Sequence, residues 1–595
     1  MLFVAAFVLL LALGLYTLLG DFIRLLIRQA RSPLTQLSGP KCPSFFMGNL
    51  AEMHDQENNN LISEWERAHG ASFVYRGFVG GCRLMTTDPV AVAYILGNAY
   101  DYPKPDFVRD SLATMAAGKE GLLTVEGDQH RRQRRILAPA FTAAHIKSLT
   151  PVFWEKAGIL RDRWAVLADV AAAASVTTTA EAKTKNPFAG CAHVDALAWL
   201  GRATLDAIGV AGFGYHFNSL TSENDGHGHG KDELARAFAD IFSTARKFRV
   251  MTILQVWFPL LRRFRRNSAV MARATATMRR IGMRLIDERS RAVLEEQRSA
   301  LKDGSAIEGD KTVLGRDLLS VLIRSNLSST SRATMSVEEV LCQISTFIAA
   351  GHETTASALT WTLYALVQNP AVQTCLRTRL QALESDLHVT NPDADASEFQ
   401  RLLTDALLKD EYLESVLREV MRLHAPVTST MRVCTRDEDA IPVGSADCRD
   451  REGRILSSIP VNKGDIITVP IQAINKSKEI WGEDAWEFRP ERWVESEEEK
   501  SLRVGRRAIP GLWANTLTFL NGNGSAAEGN RACIGWRFAL TEMKIMLFVL
   551  IRDFEFTMDP TLVIEKKVNV VTRPFVKSQP ELGNQMPLYI RRAAR

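Results

Sequence analysis

The chain opens on an uninterrupted apolar stretch. Residues 2–20 carry no charged side chain. Coiled as a helix, they span about 28 Å, close to the hydrocarbon thickness of a bilayer. Arg24, Arg28 and Arg31 follow, against one acid, Asp21. That bias predicts a membrane anchor with the bulk of the chain on the cytosolic side. No basic residues precede the run and no small-residue cleavage site closes it, so a removed signal peptide fits less well. Gly39, Pro40 and Pro43 then mark a short, stiff hinge.

Beyond the hinge, residues 73–75 and 83–87 read as paired strands. From Pro89 onward the apolar positions recur mostly with a helical period. Ser336 and Glu339 have the spacing of a capping box, and Asn369-Pro370 is a stop signal. Together they predict a long helix over 336–368, long enough to cross a whole core. A second apolar helix is predicted over 413–424, with strands at 466–470, 562–564 and 568–572. Residues 171–186, 223–231 and 301–315 lack apolar periodicity and read as loop insertions. His227 and His229 lie in the second of these, where a solvated pair is the simpler reading than a metal site. No internal repeat is apparent. The pattern predicts one α-rich domain with a minor β part.

Composition narrows the chemistry. Hydrophobic residues are 46% and charged residues 24% of 595, as in a chain with a large buried core. A net charge of +5, with no RNA- or DNA-reading motif, argues against nucleic acid as a partner. The eight cysteines are scattered without a C-x-x-C pair, which disfavours a disulfide framework or a cysteine-rich zinc site. Only Cys533 has neighbours that set it apart.

Those neighbours are Gly529-Asn530-Arg531-Ala532-Cys533-Ile534-Gly535, followed by an apolar helical pattern from Trp536. Glycines allow a tight turn and close approach to a flat cofactor. A helix beginning just after the sulfur favours the thiolate, and Arg531 supplies a cation. This G-x-R-x-C-x-G run resembles the haem-binding signature of the cytochrome P450 family. Three further runs resemble that family in its order. Ala350-Gly351-His352-Glu353-Thr354-Thr355 resembles its oxygen-activation motif. Glu419-Val420-Met421-Arg422, with Phe488-Arg489-Pro490-Glu491-Arg492-Trp493, resembles the E-x-x-R pair and its arginine partner. Gly127 to Arg135 resembles the W-x-x-x-R segment, with His130 in place of the tryptophan and Arg134 as the arginine.

The resemblance implies a mainly α fold with a small β region, the cytochrome P450 fold, and haem b with its iron held by the Cys533 thiolate. His130, Arg134, Arg432 and Arg531 would face the haem propionates. Gly351 would open a groove for O2, and Glu353 and Thr354 would be the catalytic acid and hydroxyl. His352 would face away from the iron and Thr355 would pack the helix. Glu419, Arg422 and Arg492 would be structural. Electrons would come from NADPH through a cytochrome P450 reductase, with cytochrome b5 as a second donor. The implied layout is an anchor and basic flank at 1–28, a linker at 29–50 and a catalytic domain at 51–595, on the cytosolic face of the endoplasmic reticulum.

The pocket implied at 107–122, 348–350, 427–431 and 571–572 is mostly apolar or small, so the substrate would be lipophilic. The phrasing of residues 127–141 is similar to that of fungal enzymes that tailor terpenoids and other secondary metabolites. Two rival readings stay open: an O2-independent haem-thiolate rearrangement, and a non-catalytic haem binder. One departure stands out. The family has a phenylalanine three residues before the first glycine of the signature, and here that position is Ala526. Phe519-Leu520-Asn521-Gly522 looks like the motif's start, followed by about seven extra residues near 523–529. Three N-x-S sequons, at Asn326, Asn475 and Asn523, would go unused in a cytosolic globule.

Overall fold

Helix formation follows the capping and periodicity of the chain. In the computed structural model, described residues are 14, 20, 22–24, 26–55, 61–116, 118–176, 187–221, 232–245, 269–303, 315–328, 334–444, 448–494, 509, 511–520, 531–568 and 570–594. Six helices position the site: α1 (Gly127–Leu137), α2 (Thr150–Val176), α3 (Ala196–Phe213), α4 (Val337–Gln368), α5 (Glu411–Leu423) and α6 (Trp536–Asp553). Ser336 caps α4. Its hydroxyl accepts from the Glu339 N–H at 3.2 Å, and the Glu339 carboxylate accepts from the Ser336 N–H at 2.9 Å. Asn369 ends the helix and Pro370 begins the next one.

Glu339 also ties α4 to α1. Its Oε1 accepts from Gln133 at 3.0 Å and Gln129 at 3.2 Å, and pairs with Arg132. Part of the basic run 131–135 is thereby spent on an internal ion pair rather than offered to solvent. The core is built on α3 against α4 and α6 against α2. At the second contact Phe153 meets Phe538 edge-on at 4.9 Å, and Trp154 meets Phe548 at 5.6 Å.

Four of the strands form one sheet: β1 (Ser72–Arg76), β2 (Cys82–Thr86), β3 (Thr430–Val433) and β4 (Ile466–Val469), in the order β1-β2-β4-β3. The β1–β2 hairpin expected from sequence is present. The β2–β4 contact is parallel and joins Arg83–Met85 to Ile466–Thr468. Near the C-terminus, β5 (Ile564–Val568) pairs with β6 (Thr572–Val576). These lie two to four residues later than the alternation at 562–564 and 568–572 suggests.

The insertions differ from expectation in part. Residues 171–176 continue α2, as an alanine-rich run readily does, and a helix runs to Asp303. Residues 177–186, 223–231 and 304–314 lie outside the described residues, as do nearly all of 2–20 and the extra residues at 523–529. Among the described residues no helix is long and apolar enough to cross a membrane.

The double role of Glu339 makes a stability prediction. Ser336→Ala should cost about 1 kcal/mol, the usual worth of a helix cap. Glu339→Ala should cost more, because it also strips partners from buried Gln133. Thermal unfolding of the two variants compares them.

Candidate active site

Cys533 sits one turn ahead of α6, with Gly535 at the N-cap. Its backbone N–H donates to the Phe519 carbonyl at 2.9 Å. The Phe519 ring lies between Trp513, at 5.5 Å, and Trp536, at 6.5 Å. The start of the motif, fourteen positions before the cysteine, thus still meets Cys533 through its backbone. Burial raises the thiol's pKa, while the Gly535 N–H and the Arg134 guanidinium draw it down. The Cys533 side chain is exposed in the structure. Gly535 has an ordinary backbone (φ −89°), and a Cβ there would meet nothing closer than the Phe141 ring at 3.8 Å. Neither backbone strain nor protein packing demands a glycine there, and the position leaves open space on that side of the loop.

Three cations, Lys104, Arg432 and Arg531, gather around the Glu126 carboxylate beside this loop, with Arg134 near Arg531. Arg134 donates to the Ala532 carbonyl at 2.7 Å and so grips the cysteine loop from α1. Arg432, on β3, is buried and donates to Thr430 Oγ1 at 2.6 Å and the Met431 carbonyl at 2.7 Å. Burial draws its pKa down to about 10. Arg531 pairs with Glu126, and Lys104 donates to Glu126 Oε1 at 2.9 Å. Burial, with Arg432 and Arg531 nearby, brings Lys104 down to about 8, and Glu126 opposes this. His130 is buried and its pKa falls to about 2, from burial first and then Arg531, Lys104 and Arg134. It is therefore a neutral imidazole at physiological pH. His130 Nδ1 and Arg531 Nη1 are buried with no hydrogen-bond partner among the described residues.

On α4, Glu353 is buried and pairs with Arg573 of β6 at 2.5 Å. One helical turn on, Ser357 Oγ donates to the Thr572 carbonyl at 2.7 Å. The helix face that carries the acid is thus fastened to the C-terminal hairpin. Thr354 Oγ1 donates to the Ala350 carbonyl at 2.6 Å, so its oxygen remains an acceptor for an incoming group. Thr355 is buried, and the His352 carbonyl accepts from Thr204 of α3 at 3.0 Å. Gly351 also has a packing role. A Cβ there would come within 3.2 Å of Ile208 on α3, so the missing side chain first of all lets two helices approach.

Behind the cysteine loop, Glu419 and Arg422 of α5 are fully buried. Glu419 accepts from Arg422 Nη2 at 2.7 Å and Nε at 2.9 Å, from Arg492 Nε at 3.2 Å and from the Trp493 indole at 3.0 Å. Arg422 also donates to the carbonyls of Asn475 and Ala485 at 2.9 and 2.5 Å. The structural triad expected from sequence is present, and the indole is an addition to it.

The family model "Cytochrome P450" matches residues 37–580. The chain belongs to the cytochrome P450 family. It is 40% identical to cytochrome P450 monooxygenase 205 of Postia placenta over 96% of this chain and 95% of that protein. Monooxygenase 128 of the same organism is 38% identical, over 96% and 95%. Monooxygenase claU of Ampulloclitocybe clavipes is 30% identical, over 94% and 93%. The chain is thus an oxidoreductase of the cytochrome P450 monooxygenase type, and the family implies a haem iron with a cysteine thiolate.

The residues present fit a haem. The cleared surface at Gly535, the orphaned His130 and Arg531 nitrogens and the surplus of buried positive charge suit a flat macrocycle with two carboxylates. Sequence reasoning missed Lys104, Glu126 and Arg573. Only the Pro103-Lys104-Pro105 setting and the acid just before α1 were there to be noticed.

Breaking the buried cluster around Glu419 should be severe. Glu419→Ala takes the carboxylate partner from the buried Arg422 guanidinium, while Arg492 keeps Asp484, and should cost about 3–5 kcal/mol, read as loss of soluble, folded protein or a large fall in melting temperature.

Proposed function

We infer that this cytochrome P450 inserts one oxygen atom of O2 into a lipophilic substrate, a terpenoid or another secondary metabolite. The overall change is RH + O2 + 2e⁻ + 2H⁺ → ROH + H2O. The observation that carries this reading is the pairing of Cys533, beneath a cation-rich cradle, with an acid and a hydroxyl on α4. Cys533 would ligate the iron of haem b, and His130, Arg134, Arg432 and Arg531 would hold its propionates. Bound through a thiolate, the haem supplies the electron density that cleaves the O–O bond.

The protein's part is to hold and move protons. Thr354, its own proton given to Ala350, offers an oxygen lone pair to a protonated partner. Glu353 is buried and tied to Arg573, so it must turn from that guanidinium to pass a proton toward Thr354. Retention of this acid–hydroxyl pair argues against O2-independent rearrangement and against a passive haem carrier, which need no proton relay.

Electrons would come from NADPH through a separate cytochrome P450 reductase, with cytochrome b5 as a possible second donor. Residues 1–28 would anchor the chain in the endoplasmic reticulum, 29–50 would link, and 51–595 would form the cytosolic catalytic domain. The charge-free run at 2–20 and the arginines after it support the anchor. The mostly apolar or small residues at 107–122, 348–350, 427–431 and 571–572 support a lipophilic substrate.

Two measurements test the reading. Reduced protein under carbon monoxide should show the thiolate-ligated band, and Cys533→Ala should lose it; a band unchanged in the variant would refute the ligand. With reductase and NADPH, Glu353→Gln should slow NADPH oxidation by about a hundredfold, and Thr354→Ala should divert electrons to hydrogen peroxide. A haem-loaded protein that turns over no member of a terpenoid panel would remove the terpenoid assignment.

A further inference from the structure

Glu126 occupies the N-cap position of α1, yet its side chain caps nothing. It turns instead toward the cation cluster. Its Oε1 accepts from the Lys104 ammonium at 2.9 Å and the Lys104 backbone N–H at 3.3 Å, and its Oε2 meets Arg531. Lys104 is itself pinned beside β3, because the neighbouring Pro103 carbonyl accepts from the Val433 N–H at 2.9 Å. One carboxylate therefore joins the segment before α1, the segment beside Arg432 and the segment that carries Cys533.

We propose that Glu126 is a positioning residue for haem: it fixes Lys104 and Arg531 in place, so that both face the two carboxylates of the porphyrin. The proposal rests on the haem reading above and adds a residue to it. Its physical basis is crowding. Arg432 and Arg531 each disfavour a charge on Lys104, and burial disfavours it more. Arg134 adds a further cation to the cluster, and His130, being neutral, relieves nothing. Among the described residues, Glu126 favours the charged form of Lys104. Its own carboxyl, despite burial, is held below the usual range by Lys104 and Arg531. Remove it, and Lys104 sheds its proton at a lower pH. An uncharged amine attracts a propionate far less, so haem is held less well as pH rises.

The test is haem transfer from the holoprotein to excess apomyoglobin, followed by absorbance from about pH 6 to about pH 9, a span that brackets the Lys104 titration. Glu126→Gln should release haem about tenfold faster than wild type near pH 8, the usual scale for losing an outer-shell partner. Its release should begin to climb at a lower pH than in wild type. Glu126→Asp should fall between the two. Lys104→Met should release haem quickly at every pH, and adding Glu126→Gln to it should bring back no pH-dependent limb. A Glu126→Gln protein with the wild-type rate and profile would overturn the proposal. So would slower release, which would mean that Glu126 competes with the propionates. If Lys104→Met and Arg432→Gln also keep haem as wild type does, the propionate reading fails, and not the role of Glu126 alone. Should Glu126→Gln not fold, the Glu126→Asp profile decides, and a wild-type profile there counts against the proposal.

Discussion

A carboxylate with no access to water needs every lone pair answered, and Glu419 meets that demand by drawing in five N–H donors, from four residues in two distant stretches of chain. Arg422 comes from its own helix, while Arg492, Trp493 and the Arg489 N–H arrive from about seventy residues further on. Once the pair is buried, the chain near 475–493 has little freedom, since Arg422 also holds the carbonyls of Asn475 and Ala485. Asn475 in turn accepts the Leu517 N–H at 3.0 Å, two residues before the Phe519 carbonyl that receives the Cys533 N–H. A chain of hydrogen bonds thus runs from the α5 ion pair to the cysteine. Desolvating charge is costly; the return is an oriented loop rather than extra stability.

The same logic recurs on the other side of the site. Glu353 with Arg573, and Glu126 with Lys104 and Arg531, are buried or half-buried pairs whose partners lie far apart in sequence. Each ties an element bearing a site residue to one that does not. α4 is held to the C-terminal hairpin, and the cysteine loop to the segment before α1. The catalytic groups are thereby placed by electrostatics as much as by packing.

What could be read from the sequence follows from how local the cause is. The extent of α4 was legible because its capping box and its stop lie in the sequence itself. The Glu419, Arg422 and Arg492 cluster was legible through family resemblance. Residues 564–568 and 572–576 were placed a few positions early, because alternation in a short hairpin is nearly as well met in either register. The close approach of Ile208 to Gly351 is a contact no local pattern encodes. Phe519 was recognisable as the start of a motif, but that it still reaches Cys533 across the extra residues is a tertiary fact. Lys104 and Glu126 look, in sequence, like an ordinary base and an ordinary acid.

The parallel pairing of β2 with β4 sets a condition on how the molecule is made. Arg83 to Met85 find their partners only at Ile466 to Thr468, and β2 pairs with β4 between β1 and β3 in the finished sheet. At ordinary translation speeds the second strand leaves the ribosome on the order of 20 to 80 s after the first. For that time one edge of the hairpin offers unpaired backbone to any passing strand. The interval makes the early hairpin a place where truncated or stalled products would aggregate.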